Sequence, residues 1–190
     1  MSTPPAIPRL GALTLAEIRA ATQRYHQDGD AARWELSVAR TLAKAHQAAY
    51  LLGLAERLGV KLDSALLNTR NLSRAERAEL KQIVQSQVDY LRRFVDVADT
   101  LSEAQINARA DLYALAPKQS YWQARTTGAD LPAMPGDGST ECLVNCGCAW
   151  EEQPDGWYWM RGKNDSCTTC VQREQEWAPY QLVTSDESAI

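Results

Sequence analysis

Hydrophobic residues recur every three or four positions over the first two-thirds of the chain, which is the spacing of amphipathic α-helices. Thr14 and Glu17 have the spacing of a capping box and predict the start of a helix that ends at the turn 28–30. An Ala-rich helix is predicted over residues 31–58, with Gly59 as its left-handed cap. One face of this helix is apolar and carries Trp34, Val38, Leu42, Ala45, Ala49 and Leu52.

A third and a fourth helix are predicted by two further capping boxes, which begin at Ser73 and at Ser102. Pro117 is expected to kink or end the fourth helix. The third has a stripe typical of helix–helix packing: Leu80, Val84, Gln87, Leu91, Phe94 and Ala98. The sequence therefore predicts an extended N-terminal arm over residues 1–13 and an antiparallel helical domain over residues 14–128.

The hydrophobic period changes in the last third of the chain. Residues 129–141 have the Pro, Gly and Asp-Gly composition of a linker. Two aromatic-rich segments then flank the turn sequence 153–156, which predicts a β-hairpin. We expect a small cysteine-rich hairpin module over residues 142–180 and a polar tail over residues 181–190, so the predicted fold is mainly α with a zinc-ribbon-like hairpin appended.

All five cysteines of the chain lie in this module, at Cys142, Cys146, Cys148, Cys167 and Cys170. Thiolates at such spacing, on either side of a hairpin, can close a tetrahedron around one Zn²⁺. The sequence predicts structural zinc held by four of the five. Disulfides and packed reduced thiols are the alternatives. Catalytic zinc is disfavoured because no His or carboxylate is placed to leave an open position.

The ligand set is only partly defined by spacing. Cys167 and Cys170 form the most certain pair, because their C-x2-C spacing is the strictest and coincides with a predicted helix start. Cys146 and Cys148 would face one side of a strand, whereas Cys142 and Cys146 make a looser knuckle. Gly147 permits the tight amide-to-sulfur turn of such knuckles.

Charge argues against nucleic acid as the module's partner. The formal net charge of the chain is −4, and residues 131–190 hold ten acidic against three basic residues. Binding to a phosphate backbone needs Lys and Arg, so the charge of the module disfavours nucleic-acid recognition. Its aromatic side chains are instead predicted to contact protein partners: Trp150, Trp157, Tyr158 and Trp159.

Other signals in the sequence are negative. No nucleophile, phosphate-binding or zinc-protease motif is present, and neither His26 nor His46 lies near another candidate ligand in sequence, so no enzyme is predicted.

The first ten residues have no apolar segment typical of a secretory signal, and no apolar run is long enough to cross a bilayer. We expect synthesis in the cytoplasm, where thiols stay reduced.

The C-terminal ninety residues, approximately, resemble the minor head or head-morphogenesis proteins of tailed bacteriophages, loosely called Mu F-like. The matching positions are Asn145-Cys146-Gly147-Cys148, the pair Cys167-x2-Cys170, and the helical segment 108–124. In that family the C-x2-C pair often precedes the Asn-Cys-x-Cys element, whereas here it follows.

The resemblance implies a structural, non-catalytic component of the phage head, located in the virion after synthesis in the host cytoplasm. Its expected partners are the portal, the major capsid protein and further copies of itself. Two alternatives are a capsid decoration protein and a zinc-ribbon nucleic-acid-binding regulator with a helical dimerisation domain. An interaction adaptor outside phage biology would share most of these sequence features.

Overall fold

The computed structural model describes residues 6–61, 68–143, 146–162 and 167–180, apart from the side chain of residue 99. These residues are mainly helical and include one two-stranded antiparallel sheet, which confirms the predicted fold class. Among them, no helix combines the length and the apolar character needed to span a membrane. The elements are α1 (Ala6–Asp28), α2 (Ala31–Leu58), α3 (Arg74–Val95), α4 (Glu103–Tyr113), α5 (Pro117–Arg125), β1 (Ala149–Gln153), β2 (Gly156–Met160) and α6 (Thr168–Glu176).

The first helix starts earlier than the sequence predicted. Residues 6–13 are helical, so the prediction of an extended arm is wrong there, and residues 1–5 lie outside the described residues. Thr14 does not cap a helix, because its hydroxyl donates to the Leu10 carbonyl one turn back at 2.8 Å. Pro8 lies in the first turn of α1, where its missing N–H costs no helical hydrogen bond.

The ends of α2 and the start of α3 are as predicted. The Asp30 carboxylate accepts the N–H of Arg33 at 2.9 Å, and Gly59 has φ of 63° in the left-handed region. At the start of α3, the Ser73 hydroxyl and the Glu76 carboxylate satisfy each other's backbone N–H groups. These caps confirm the sequence signals because they depend only on neighbouring residues.

Pro117 behaves differently from the prediction. It neither kinks nor merely ends the fourth helix, because α4 has already finished at Tyr113 and Pro117 opens a separate helix, α5. Proline is favoured at this first helical position. The outcome matters because α5 packs across α2 and reaches the cysteine module.

An aromatic cluster fills the core between α1, α2, α3 and α4. The Trp34 ring is stacked on Tyr25 at a centroid distance of 5.3 Å and meets Phe94 edge-on at 5.7 Å. Its indole N–H donates to the Thr22 hydroxyl at 3.1 Å, so the buried polar atom is satisfied. On the predicted α3 stripe, Leu91 and Phe94 are buried, which confirms that this part of the stripe is core.

Helices α2 and α5 approach closely at Gly53. A Cβ atom at this position would lie 2.1 Å from the Tyr121 carbonyl oxygen. Nearby, the fully buried His46 places Nδ1 at 2.8 Å from the Ser120 hydroxyl oxygen and so links the same two helices. The contact fixes α5 against the centre of the molecule.

Residues 129–141 do not act as a free linker, which corrects the predicted division into domains. Ala133 and Met134 are buried, and the Trp150 indole N–H donates to the Ala133 carbonyl at 2.9 Å. One hydrophobic cluster joins this segment to the hairpin and to α1, α2 and α5; it includes Ile7, Ala49, Trp122, Ala129, Met134, Trp150, Trp157 and Trp159. The hairpin module therefore shares a core with the helices.

The close helix contact gives a test with a matched control. Gly53→Ala should lower the free energy of unfolding by about 1–3 kcal/mol or more, because the methyl group meets backbone atoms that cannot rotate away. Gly11→Ala in α1 should instead stabilise by up to about 1 kcal/mol, since its Cβ would sit 3.6 Å from the nearest atom. Urea denaturation measures both. Equal effects of the two substitutions would contradict the α2–α5 packing.

Candidate metal centre

The cysteine sulfurs converge from two parts of the chain. Cys142 and Cys146 precede the hairpin, and Cys170 lies in the first turn of α6. The Cys142 and Cys146 sulfurs are each 4.0 Å from the Cys170 sulfur, and the Cys167 sulfur is 3.7 Å from that of Cys142. Sulfurs bound tetrahedrally at about 2.3 Å from one zinc ion would be about 3.8 Å apart. The group Cys142, Cys146 and Cys170 could therefore hold a metal ion.

The remaining two thiols lie next to this group. Cys167 is the N-terminal cap residue of α6 and is half-buried, whereas Cys148 is buried against Cys146 and Cys170. The structure thus brings all five predicted cysteines together. Asn145, the first residue of the Asn-Cys-x-Cys element, lies outside the described residues.

Backbone N–H groups donate to three of the sulfurs. The N–H of Cys148 points to Cys146, that of Gly162 to Cys148, and that of Cys170 to Cys167. The first of these is the amide-to-sulfur turn that Gly147 was predicted to permit. Hydrogen bonds of this kind favour the thiolate form, which is the form that binds a metal.

Crowding opposes ionisation of the same thiols. The pKa of Cys146 is raised, first by its hydrogen bond to Cys148 and then by burial, and burial raises the pKa of Cys170. The pKa of Cys148 is lowered, chiefly because the Cys146 thiol donates to it. Several thiolates at these distances repel one another, so a nearby cation is needed to ionise them together.

Close backbone packing holds the knuckle against the end of the hairpin. A Cβ on Gly162 would lie 2.8 Å from the carbonyl carbon and oxygen of Gly147. Only glycine allows the two segments to approach this closely. This contact also places the Gly162 N–H against the Cys148 sulfur.

Helix α6 is anchored by two charged side chains that sequence reasoning missed. The Glu141 carboxylate accepts the N–H of Thr168 at 2.9 Å, so it caps the helix that carries Cys170. Arg173 lies over the rings of Trp159 and Trp177 and donates to the Ser139 carbonyl at 3.2 Å. Glu141 gives no local capping signal in the sequence, because the helix start that it caps lies 27 residues away.

Three of the four aromatic residues predicted to bind partners are core residues. Trp150, Trp157 and Trp159 are between 1% and 7% exposed, and Trp150 meets Trp159 edge-on at 5.2 Å across the hairpin. The prediction that these three contact protein partners is therefore wrong. Tyr158 points to the other face of the strand and is half-exposed, with its hydroxyl donating to Asp155 at 2.7 Å.

Lys118 of α5 lies beside the cluster. Its ammonium donates to the Cys146 carbonyl at 2.6 Å, and among the described residues it forms no ion pair with a carboxylate. Burial lowers the pKa of Lys118, while the sulfurs of Cys146, Cys148, Cys142 and Cys170 act to raise it. Lys118 is thus half-buried beside sulfur atoms. Once the thiols are ionised, their negative charge would offset the positive charge of the ammonium.

Comparisons with protein-family models, with curated proteins and with solved structures return no match. The site is therefore assigned from the geometry of this chain alone.

Lys118 gives a test of the charge balance at the centre. Lys118→Met should weaken affinity for Zn²⁺ about tenfold or more, because outer groups that stabilise metal ligands have effects of that size. Lys81→Met removes the same charge from an exposed position of α3 and should leave the affinity unchanged. Competition with a chromophoric chelator measures both. Equal affinities for the two variants would show that Lys118 does not stabilise the thiolates.

Proposed function

We propose that Cys142, Cys146, Cys167 and Cys170 bind one structural Zn²⁺ ion. The observation that carries this is the cluster of Cys142, Cys146 and Cys170, whose sulfurs all lie within 4.8 Å of one another. Cys167, whose sulfur is 3.7 Å from that of Cys142, is the proposed fourth ligand. All-thiolate sites select soft metals, among which zinc is the usual structural ion. Cys148 is then the fifth thiol, which accepts a hydrogen bond from Cys146 when no metal is present.

The zinc stabilises a segment that contains little secondary structure of its own. An isolated two-stranded hairpin is at best marginally stable in water. Metal binding that occurs only in the folded state adds its binding free energy to folding. Because four thiolates complete the coordination of zinc, no open position is left for a substrate, and the centre supports structure rather than catalysis.

Single cysteine substitutions test the ligand set. Cys142→Ser, Cys146→Ser, Cys167→Ser and Cys170→Ser should each lose tightly bound zinc and lower the melting temperature. Cys148→Ser is the matched control and should retain one zinc per chain. Elemental analysis after gel filtration gives the stoichiometry. Retention of zinc by Cys167→Ser together with its loss from Cys148→Ser would replace Cys167 by Cys148 in the ligand set.

For the role of the whole chain, we propose a structural component of a tailed-phage head that acts through contacts with the portal or the capsid shell. The resemblance of residues 108–124 and of the two cysteine elements to the Mu F-like group supports this role. The exposed surface of the helices is then the contact surface, because Trp150, Trp157 and Trp159 of the hairpin are buried.

Mass spectrometry with copy-number quantification, on gradient-purified phage particles, tests this role. We expect a fixed stoichiometry against the major shell protein. A number near a dozen or fewer would indicate a position at the portal, and a number in the hundreds would indicate shell decoration. Absence from mature particles would contradict a virion component. The zinc assignment does not depend on this result.

A further inference from the structure

A cleft of about 200 Å³ lies between α3, α4 and the segment 136–143. Its walls include the rings of Tyr90 and Tyr113 and the side chains of Arg93 and Arg109. The metal centre does not use these residues. The volume is below the range of roughly 300–1,000 Å³ that is typical of pockets for drug-sized ligands.

The two arginines share one aromatic ring. The Arg109 guanidinium carbon lies 4.8 Å from the Tyr90 ring centre, and that of Arg93 lies 5.6 Å from the same centre. Among the described residues, neither forms an ion pair with a carboxylate, whereas the neighbouring Arg92 binds Glu35 and Asp89. Two guanidiniums thus lie over one ring without an ion-pair partner among the described residues, an arrangement that an anion would stabilise.

Tyr113 adds a buried polar group without a partner. The residue is 3% exposed, and its hydroxyl is buried and makes no hydrogen bond within the described structure. The positive charges of Arg109 and Arg93 both act on this phenol, which places it near the two guanidiniums. A buried hydroxyl with no partner costs stability, so a ligand that accepts its hydrogen bond would be favoured.

The Asp137 carboxylate lines the cleft and accepts hydrogen bonds within its own loop. Asp137 accepts the N–H groups of Met134 and Ser139, both at 2.8 Å, between Gly136 and Gly138. It keeps its negative charge, but among the described residues it forms no ion pair with either arginine. Leu112 and Leu143 supply an apolar wall beside them.

We propose that this cleft binds a small oxyanion, a phosphate ester or a carboxylate, attached to a compact apolar body. Arg93 and Arg109 would pair with the oxyanion through their guanidinium N–H groups, and the Tyr113 hydroxyl would donate a further hydrogen bond. The apolar body would pack on Tyr90, Leu112 and Leu143. This site is independent of the zinc centre and of a role in a phage head.

Titration of the zinc-loaded full chain, followed by ¹H–¹⁵N NMR at low salt, tests the site. The probes are phenyl phosphate, benzoate, inorganic phosphate and the neutral phenol. We expect phenyl phosphate or benzoate to bind more tightly than inorganic phosphate, with shifts centred on α3 and α4, and phenol not to bind. The tighter of the two organic anions identifies the class of oxyanion.

Three variants distinguish binding in this cleft from a general electrostatic attraction of anions to the protein surface. Arg109→Gln should weaken binding about tenfold or more, since a hydrogen bond between charged groups is lost. Tyr113→Phe should weaken it several-fold without lowering the melting temperature, because the lost hydroxyl has no partner in the protein. Arg74→Gln, an equal charge change at the exposed start of α3, should leave binding unchanged.

Three results would overturn the proposal. They are the absence of shifts with either organic anion at about 10 mM, equal affinities for Arg109→Gln and Arg74→Gln, and binding of phenol as tight as that of phenyl phosphate.

Discussion

The close approach of cysteine sulfurs is the constraint on which the C-terminal third of this protein depends. Thiols at 3.7–4.0 Å cannot all ionise without a compensating charge, and as neutral groups they make only weak hydrogen bonds. The zinc ion that we propose would resolve the conflict by binding the thiolates, and the Lys118 ammonium would offset part of the remaining negative charge. Backbone N–H groups from Cys148 and Cys170 act in the same direction. The knuckles, the start of α6 and the end of the hairpin are thereby fixed at one point.

The effect of the centre extends into the helices because the two parts share a core. The segment 129–141 is packed between the hairpin and α5, and Trp150 bonds to its backbone. Helix α5, which carries Lys118, is in turn locked against α2 at Gly53. Loss of the metal should therefore loosen contacts in the helical part as well, so we expect one cooperative unit rather than two domains that melt separately.

Local features of the fold could be predicted from the sequence, and long-range ones could not. The caps at Ser73 and Gly59 depend on residues within one turn, and the hairpin follows from its own turn sequence. The early start of α1 could not be predicted, because Thr14 and Glu17 imitate a capping box inside a helix. The burial of the tryptophans depends on the segment 129–141 and on α5, contacts that alternation in a strand does not specify.

The residues of the candidate site also divide into those that the sequence predicts and those that only the fold reveals. Five clustered cysteines indicate a metal site by composition and spacing alone. Lys118 and Glu141 have no such signature, because each acts on a group more than twenty residues away in sequence. Arg93 and Arg109, which form no ion pair among the described residues, could not be identified from the sequence either. A charged side chain on a helix is usually solvated, and only the fold shows which of them lie together in a cleft.

X-ray absorption at the zinc edge, on protein purified without added metal, tests the central claim most directly. The account predicts about one zinc per chain with a shell of four sulfurs at about 2.3 Å and no nitrogen or oxygen ligand. Protein that folds cooperatively with no bound metal, or with its cysteines in disulfides, would contradict it.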